Sequence, residues 1–483
     1  MTGIGSKMVK GVRWSALEKG GQQGITFLVF AILARFIAPE DFGLVAMALI
    51  VIGFVQLFID QGFSTAVIQK HDVDDVFLST AFWTNMIVAA VLGVMLIALK
   101  HPISAAFNEP RLAELIPWMA FALLFEALMS VQQALLKRHF NFNGLALRTT
   151  FARVMAGAVA IFGAMSGWGV WSLVVFTVLS GALSTAALWL ISEWRPKLRF
   201  SRENFRELLA FGGHVTGVRV MSYISNRALE VFIGIYFGAV ALGYYTLAYQ
   251  LVGRIGSIMV QTLSQVTLSG FSRTQASTES LLKRLLGVTR LTTAIVFPLF
   301  ALIGLMAEDV VFLIYGDGWA KSALLIMLLA PIGPAMVMTS SLGDAVIGAG
   351  VPRLILRART LGTVLLVAGL FGALQFGFET MVMVFSASYY VPMLLLHFVA
   401  AKQVLSLRMQ SYVSQQVPIV VATVALIVTV YLADSTVSVA MPHLWVGILT
   451  AFLGAAVYLV ALAIMDRKIL LDLRQILFGF AAR

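Results

Sequence analysis

Apolar runs near 20 residues long recur along the whole chain, separated by short polar stretches. A run of about that length, rising ~1.5 Å per residue, crosses the hydrocarbon core of a bilayer as one α-helix. Fourteen such segments fall at roughly 14–36, 42–63, 77–99, 114–136, 145–166, 170–191, 208–236, 241–268, 284–306, 321–347, 355–375, 378–400, 413–433 and 443–465. The expected fold class is an all-α polytopic membrane protein of about 14 transmembrane helices, because backbone polar groups at membrane depth are satisfied within a helix. Residues 466–483 carry Ile469, Leu470, Leu473, Ile476 and Leu477 on one side and read as a short amphipathic tail on the membrane surface.

The pattern also repeats. Shifted by 200 residues, Gly43 falls on Gly243, Ala48 on Ala248, Gly53 on Gly253 and Lys19 on Arg219, and Phe36-Ile-Ala matches Tyr236-Phe-Gly. The interval covers six spans and returns the chain to its starting side, so the repeat is parallel. The predicted organisation is an N-terminal six-helix lobe over 1–200, a C-terminal six-helix lobe over 201–405, and two extra helices with an amphipathic cytoplasmic tail over 406–483. A central cavity is expected between the lobes. Their chemistry differs: where the second has Gln250, Arg254 and Ser257, the first has Ile50, Phe54 and Leu57.

Composition narrows the class. Of 483 residues 60% are hydrophobic and 12% charged, and the mean hydropathy of +0.93 excludes a soluble domain. The net charge of +11 would suit nucleic acid in a soluble protein; here most basic residues lie in short loops, and the membrane explains them. One alternate set of loops holds most of them, including Lys70, Lys137, Arg138, Arg148, the cluster Arg195 to Arg206, Arg353 and Arg408, while the other holds Lys100, Arg111 and Lys321. That bias puts both termini in the cytoplasm. No cleavable signal-peptide pattern is present, and the first span is expected to serve as its own insertion signal. The chain has no cysteine, which excludes disulfides and thiolate chemistry. Its six histidines lack metal-ligand spacing, and there is neither a P-loop nor a dinucleotide-binding glycine motif, so no metal, cofactor or ATP hydrolysis is expected. Asp72-Val-Asp-Asp75 looks like a nucleotide-sugar metal motif, but it sits in a short loop with no α/β domain around it.

Residues 211–272 carry charge at membrane depth, where each ionisable group costs roughly 2.5 to 3.5 kcal/mol. Arg219, Tyr223, Asn226 and Glu230 are spaced four, three and four apart and share a helical face, with Arg227 beside them. Gln250, Arg254, Ser257, Gln261 and Gln265 share another, across an uncharged turn at Phe237 to Tyr245. These groups either line an aqueous cationic cavity or snorkel and pair structurally. Other bases within spans include Lys19, Arg153 and Arg290; acids include Glu18 and Glu126, near the middle of the fourth span. Glu126 is either structurally paired or part of a proton-coupling relay, and Glu18 and Glu230 are further candidates for ion coupling. A basic cavity selects an anion, and the planar fork of arginine suits a diphosphate. Gln23, Tyr223, Tyr249, Gln250 and Gln261 can hydrogen-bond sugar hydroxyls.

Several local patterns carry a family resemblance. They are Leu33-Ala-Arg-Phe-Ile-Ala-Pro-Glu-Asp-Phe-Gly43, Gly62-Phe-Ser-Thr-Ala-Val-Ile-Gln69, Ser79-Thr-Ala-Phe-Trp-Thr-Asn85, Ala134-Leu-Leu-Lys-Arg-His-Phe-Asn-Phe142, Gly167-Trp-Gly-Val-Trp-Ser-Leu-Val174, Leu242-Gly-Tyr-Tyr-Thr-Leu-Ala248 and Tyr315-Gly-Asp-Gly-Trp319. Together they resemble the bacterial polysaccharide-transporter flippases, the Wzx-like, colanic-acid-exporter branch of the multidrug/oligosaccharidyl-lipid/polysaccharide exporter superfamily. The resemblance implies a flippase for undecaprenyl-diphosphate-linked oligosaccharide repeat units in exopolysaccharide or lipopolysaccharide biosynthesis. It would sit in the bacterial cytoplasmic (inner) membrane, work by alternating access without ATP, and meet membrane lipid, a polysaccharide polymerase and a chain-length regulator. The family's cationic cavity carries over to Lys19, Arg153, Arg219, Arg227, Arg254 and Arg290.

Two other classes compete. An ion-coupled multidrug or organic-cation exporter of the same fold should have a cavity dominated by acids, whereas bases outnumber acids here. A polysaccharide polymerase or ligase needs a long external loop bearing catalytic groups, and the external loops here are short.

Overall fold

The structure is a computed structural model, and it describes residues 20–60, 63–70, 73–138, 142–271, 278–437 and 443–472. Among these the secondary structure is helical, without strands. The chain forms two compact units, Met1–Thr246 and Leu247–Arg483. Eleven of the described helical stretches are long and apolar enough to cross a membrane.

Unit 1 contains α1 (Gly20–Leu33), α2 (Pro39–Asp60), α3 (Phe63–Gln69), α4 (Asp75–Ala98), α5 (Lys100–Ala106), α6 (Leu112–Arg138), α7 (Phe142–Met165), α8 (Val170–Ile191) and the start of α9 (Arg202–Phe271). The expected turn at Phe237 to Tyr245 contracts to a single non-helical residue within α9, Gly238, with φ of 79° and ψ of −175°. Glycine alone takes that backbone conformation without strain, so one residue breaks the helix where a nine-residue turn was anticipated.

The local starts follow the sequence. α2 opens on Pro39 with Glu40 and Asp41 in its first turn, a proline with nothing to lose at that position and two carboxylates favoured by the helix dipole. α4 opens on Asp74, whose carboxylate accepts from the Phe77 N–H at 2.8 Å. Asp75 pairs with Lys197. In the acidic run that mimics a metal motif, Asp74 is therefore a helix cap and Asp75 half of an ion pair, while Asp72 lies outside the described residues. That same lysine belongs to the basic loop after α8, which is an extended strap over 192–201 pinned to α4. Lys197 N–H donates to the buried Ser79 hydroxyl at 3.1 Å, Ser201 N–H to Thr80 at 3.0 Å, and the Trp83 indole to the Lys197 carbonyl at 2.9 Å.

Helices α2 and α9 meet backbone to backbone. A Cβ on Gly43 would overlap the carbonyl of Ala239, and a Cβ on Gly243 would overlap the carbonyl of Pro39. The 200-residue repeat maps 39 onto 239 and 43 onto 243, so the two contacts are the same contact with the roles exchanged. Small residues at a helix crossing let backbones approach this closely.

Unit 2 contains the rest of α9, then α10 (Thr278–Leu305), α11 (Ala307–Tyr315), α12 (Ala320–Leu329), α13 (Ile332–Gly348), α14 (Pro352–Ala373), α15 (Phe378–Ser388), α16 (Leu394–Leu405), α17 (Met409–Val437) and α18 (His443–Met465). Polar ties cross its apolar core: the Tyr458 hydroxyl donates to the Ala294 carbonyl at 2.6 Å and Thr293 to the Gln416 amide oxygen at 2.7 Å. The beginning of the expected surface tail is built into this core. Asp466 pairs with Arg290, and Ile469 is fully buried among Ile419, Ala422, Leu426 and Leu462. Leu473, Ile476 and Leu477 lie outside the described residues.

Candidate functional site

Within unit 1, α2, α3, α6 and α9 enclose a pocket of about 650 Å³. Helix α6 supplies Glu126, Ser130, Gln133 and Lys137, spaced four, three and four apart, which puts them on one face. Helix α9 supplies Arg219, Tyr223 and Arg227 at intervals of four. Gly53, Gln56, Ser64 and Thr65 add small and polar groups from α2 and α3. Among the described residues, the cations Lys137, Arg219 and Arg227 and the acid Glu126 line the pocket.

Two of the α9 side chains are fixed by the protein. The Tyr223 hydroxyl donates to the Ile50 carbonyl on α2 at 2.7 Å. It can reach because residue 53 is glycine: a Cβ there would sit 2.6 Å from the hydroxyl oxygen. Arg227 stands with its guanidinium 5.9 Å from the centre of the Tyr223 ring and pairs with Glu230. The carboxylate is buried, at 8% exposure, while the guanidinium is 45% exposed. The carboxylate therefore holds one side of the five-donor fork, and the guanidinium lines the pocket.

Helix α3 is a part the apolar pattern hid. Segment 63–69 is too short to count as a span, yet Ser64, Thr65 and Ile68 line the pocket. Phe63 and Val67 anchor it among Phe77, Phe82 and Val131, and Arg138 donates to the Val67 and Lys70 carbonyls at 2.7 and 2.6 Å, capping its C-terminal end. Gln56, Gln133 and Lys137 were also not singled out from the sequence. The four-three-four spacing on α6 was the signal that could have found them, since it matches the spacing read on α9. Lys137, expected in a loop, sits in the last turn of α6. Arg148, also expected in a loop, is buried on α7 with its guanidinium 3.9 Å from the Met129 sulfur.

The structure gathers Glu126, Arg219, Tyr223 and Arg227 in this pocket, with Glu230 behind Arg227. Asn226 is exposed on α9 and is not part of the lining. Arg153 donates to the Thr26 hydroxyl, between α7 and α1, and Gln23 is half-buried on α1. Tyr249, Gln250 and Arg254 are half-buried on the part of α9 that belongs to unit 2, and there Arg290 is engaged by Asp466. Glu18 and Lys19, and the side chain of Gln261, lie outside the described residues.

Residues 32–324 match the family of polysaccharide biosynthesis proteins. The chain belongs to that family. Among its relatives, the succinoglycan biosynthesis transport protein ExoT of Rhizobium meliloti (strain 1021) is 26% identical over 324 residues, a match that covers 67% of this chain and 65% of that protein. The lipopolysaccharide biosynthesis protein WzxC of Escherichia coli (strain K12) is 26% identical over 335 residues, 68% of this chain and 67% of that one. Among solved structures, the lipid II flippase MurJ in an inward closed conformation superposes with a TM-score of 0.77 at 12% identity, covering 95% of this chain and all of that one. The all-α polytopic membrane fold read from the apolar runs is therefore the fold of this family member. Of these proteins, ExoT is named a transport protein, WzxC a biosynthesis protein and MurJ a flippase; none is named an enzyme.

Proposed function

We propose that the protein is a flippase that carries undecaprenyl-diphosphate-linked oligosaccharide repeat units across the bacterial inner membrane by alternating access. The observation that carries this reading is the cluster of Lys137, Arg219 and Arg227 around one pocket of unit 1. A cation at membrane depth costs roughly 2.5 to 3.5 kcal/mol on insertion, and with Glu126 and Glu230 set against Lys137, Arg219 and Arg227 the cluster keeps a net charge of +1. Two acids do not balance three cations. An anionic diphosphate supplies the missing negative charge, and it also fits the bidentate geometry of the two arginines.

In this reading Arg219 and Arg227 grip the diphosphate, with Glu230 keeping the second guanidinium in place. Gln56, Gln133, Ser64 and Thr65 offer donors and acceptors to the first sugars, and the prenyl chain stays in lipid. Glu126 is the counter-charge of the empty pocket and the candidate for ion coupling. This reading takes α1, α7 and the two sides of Gly238 as further crossings beside the eleven candidate spans, and puts both termini in the cytoplasm. A polymerase and a chain-length regulator would receive the product on the far side.

The test is transport of a fluorescent undecaprenyl-diphosphate-linked oligosaccharide in proteoliposomes containing the Arg219→Ala, Arg227→Ala double variant. A charge-assisted hydrogen bond is worth about 1.5 to 3 kcal/mol, so losing two should slow transport on the order of 100-fold or more. The protein should still elute as a single folded species. Transport within about twofold of wild type would remove the basis of the assignment.

A further inference from the structure

Helix α6 has a second polar end. Its first turns, together with α5 and the bend between them, bound an open groove of about 780 Å³ lined by Lys100, His101, Asn108, Glu109, Glu114 and Trp118. From Pro117 at this groove to Glu126 in the cationic pocket is nine residues, a rise of about 13 Å along the same helix.

The frame of the groove is rigid. Asn108 takes a positive φ of 51° at the bend. The Ser104 hydroxyl donates to the Glu109 carbonyl at 2.7 Å, and the Glu109 N–H donates back to the Ser104 carbonyl at 3.0 Å. Arg111 forks onto Glu40 at 3.0 Å and Asp41 at 2.9 Å, tying the bend to the start of α2. Burial works against that guanidinium's charge, but the two carboxylates outweigh it and raise its affinity for the proton further. The Trp118 ring stands perpendicular to Trp171 with 6.2 Å between centres, and the residue remains 56% exposed.

The groups inside the frame are uncommitted. Among the described residues, the side chains of Lys100, His101, Asn108, Glu109 and Glu114 make no hydrogen bond or ion pair with the protein. An interfacial tryptophan or a snorkelling lysine is ordinary at a membrane surface. Two carboxylates over the same concavity are not, because they repel anionic headgroups. With histidine neutral, one lysine against two glutamates leaves the groove at −1. That balance disfavours a phosphate and favours a ligand rich in hydroxyl donors, which carboxylates and amides accept and an aromatic ring can stack beneath. The volume lies within the ~300 to 1,000 Å³ of small-molecule sites.

We infer that this groove is an oligosaccharide-binding subsite, distinct from the cationic pocket, that receives the sugar portion of the cargo at the other end of α6. The inference rests on the flippase reading for its cargo, and on the bias of basic residues for placing Lys100 and Arg111 on the extracytoplasmic side. Its chemistry divides the labour between two sites on one helix: bases and neutral polar groups for the diphosphate and the first sugars, acids and an aromatic face for the sugars beyond them.

The experiment uses the full-length protein in nanodiscs and, as probe, the water-soluble oligosaccharide released by mild acid from the lipid-linked pool of the producing cells. Binding is read by saturation-transfer NMR and titration calorimetry. Wild type should bind saturably. Trp118→Ala, and separately Glu109→Gln with Glu114→Gln, should each weaken binding about tenfold, as expected for loss of an aromatic anchor or of paired acceptors. The Arg219→Ala, Arg227→Ala variant should bind the soluble sugar within about twofold of wild type, because the probe has no diphosphate. Absence of saturable binding to wild type overturns the proposal, as does unchanged binding in both groove variants. So does a result in which the groove variants alter only the association of short-chain phosphatidylglycerol, which would make the groove a lipid contact. Loss of sugar binding in the groove variants alongside normal transport by the double-arginine variant would leave the groove standing and remove the cationic pocket instead.

Discussion

The two ends of α6 hold their polar groups in opposite ways. In the cationic pocket the side chains are fixed by partners: Tyr223 by the Ile50 carbonyl and Arg227 by Glu230. In the groove the backbone is fixed, by the Arg111 fork and by the Gly43 and Gly243 crossing at the start of α2, while the side chains of Lys100, His101, Asn108, Glu109 and Glu114 have no hydrogen-bond or ion-pair partner among the described residues. A pocket that must hold a diphosphate against water gains from guanidinium groups already oriented, since ordering them on binding would cost affinity. A surface that meets sugars of varied stereochemistry gains from adaptable acceptors on a rigid base. The contrast predicts that the same class of substitution has different consequences at the two ends.

The largest effect should come from the backbone that frames the groove. Gly43→Ala places a methyl group on the Ala239 carbonyl, and a carbonyl within a helix cannot step aside as a flexible side chain can. Overpacking costs about 1 to 3 kcal/mol where side chains give way, and more where they do not. Gly43→Ala should therefore reduce the yield of folded protein severely and lower its thermal midpoint in detergent by many degrees. Gly24→Ala on α1, where a Cβ meets nothing, is the control and should be silent. Equal behaviour of the two would mean that the close crossing does not frame this end.

Next in size is the support of the pocket. Glu230→Gln leaves Arg227 without its ion pair in a place where the carboxylate was buried. Removing one partner of a fully buried pair costs about 3 to 5 kcal/mol. Arg227 is nearly half exposed and water recovers part of that, so about 1 to 2 kcal/mol of stability should be lost. Transport should fall on the order of tenfold, because the guanidinium is no longer aimed. Gly53→Ala should do less: Tyr223 must shift, and its hydrogen bond to Ile50, worth about 0.5 to 1.5 kcal/mol, lengthens or breaks. Adding Tyr223→Phe, which removes the crowded oxygen, should restore most of the stability lost to Gly53→Ala. Failure of that rescue would locate the strain elsewhere.

Much of this arrangement can be read from residues alone, for a physical reason. Helical spacing is a local property, so Arg219, Tyr223 and Arg227 could be placed on one face without knowing what they touch. Apolar length is local too, which is why the spans stand out. Lys137 escaped because a basic residue at the end of an apolar run reads as the loop, although the helix continues through it. Helix α3 escaped because seven residues containing serine and threonine carry too little apolar signal to register. The bond from Tyr223 to Ile50 joins residues 173 apart, and no periodicity records it. The role of Gly53 follows only from that bond. Asp74 and Asp75 show the reverse case: a motif that looked like chemistry is a cap and a tether.

The smallest effect sharpens the comparison most. Glu109→Gln with Glu114→Gln removes two carboxylates, as many charges as any change above, from side chains with no protein partner among the described residues. Substitutions at such positions usually alter stability by less than about 0.5 kcal/mol. The thermal midpoint of this double variant should match wild type, measured beside Glu230→Gln, which removes only one charge and should fall clearly below it. If the groove glutamates proved as costly to neutralise as Glu230, they would be structural, and the free side chains that distinguish this end of α6 would be an incomplete description of it. If they cost nothing to the fold and yet weaken the hold on sugar, then whatever maintains them is binding and not architecture, because folding supplies no reason to keep two unpaired acids beside an exposed tryptophan.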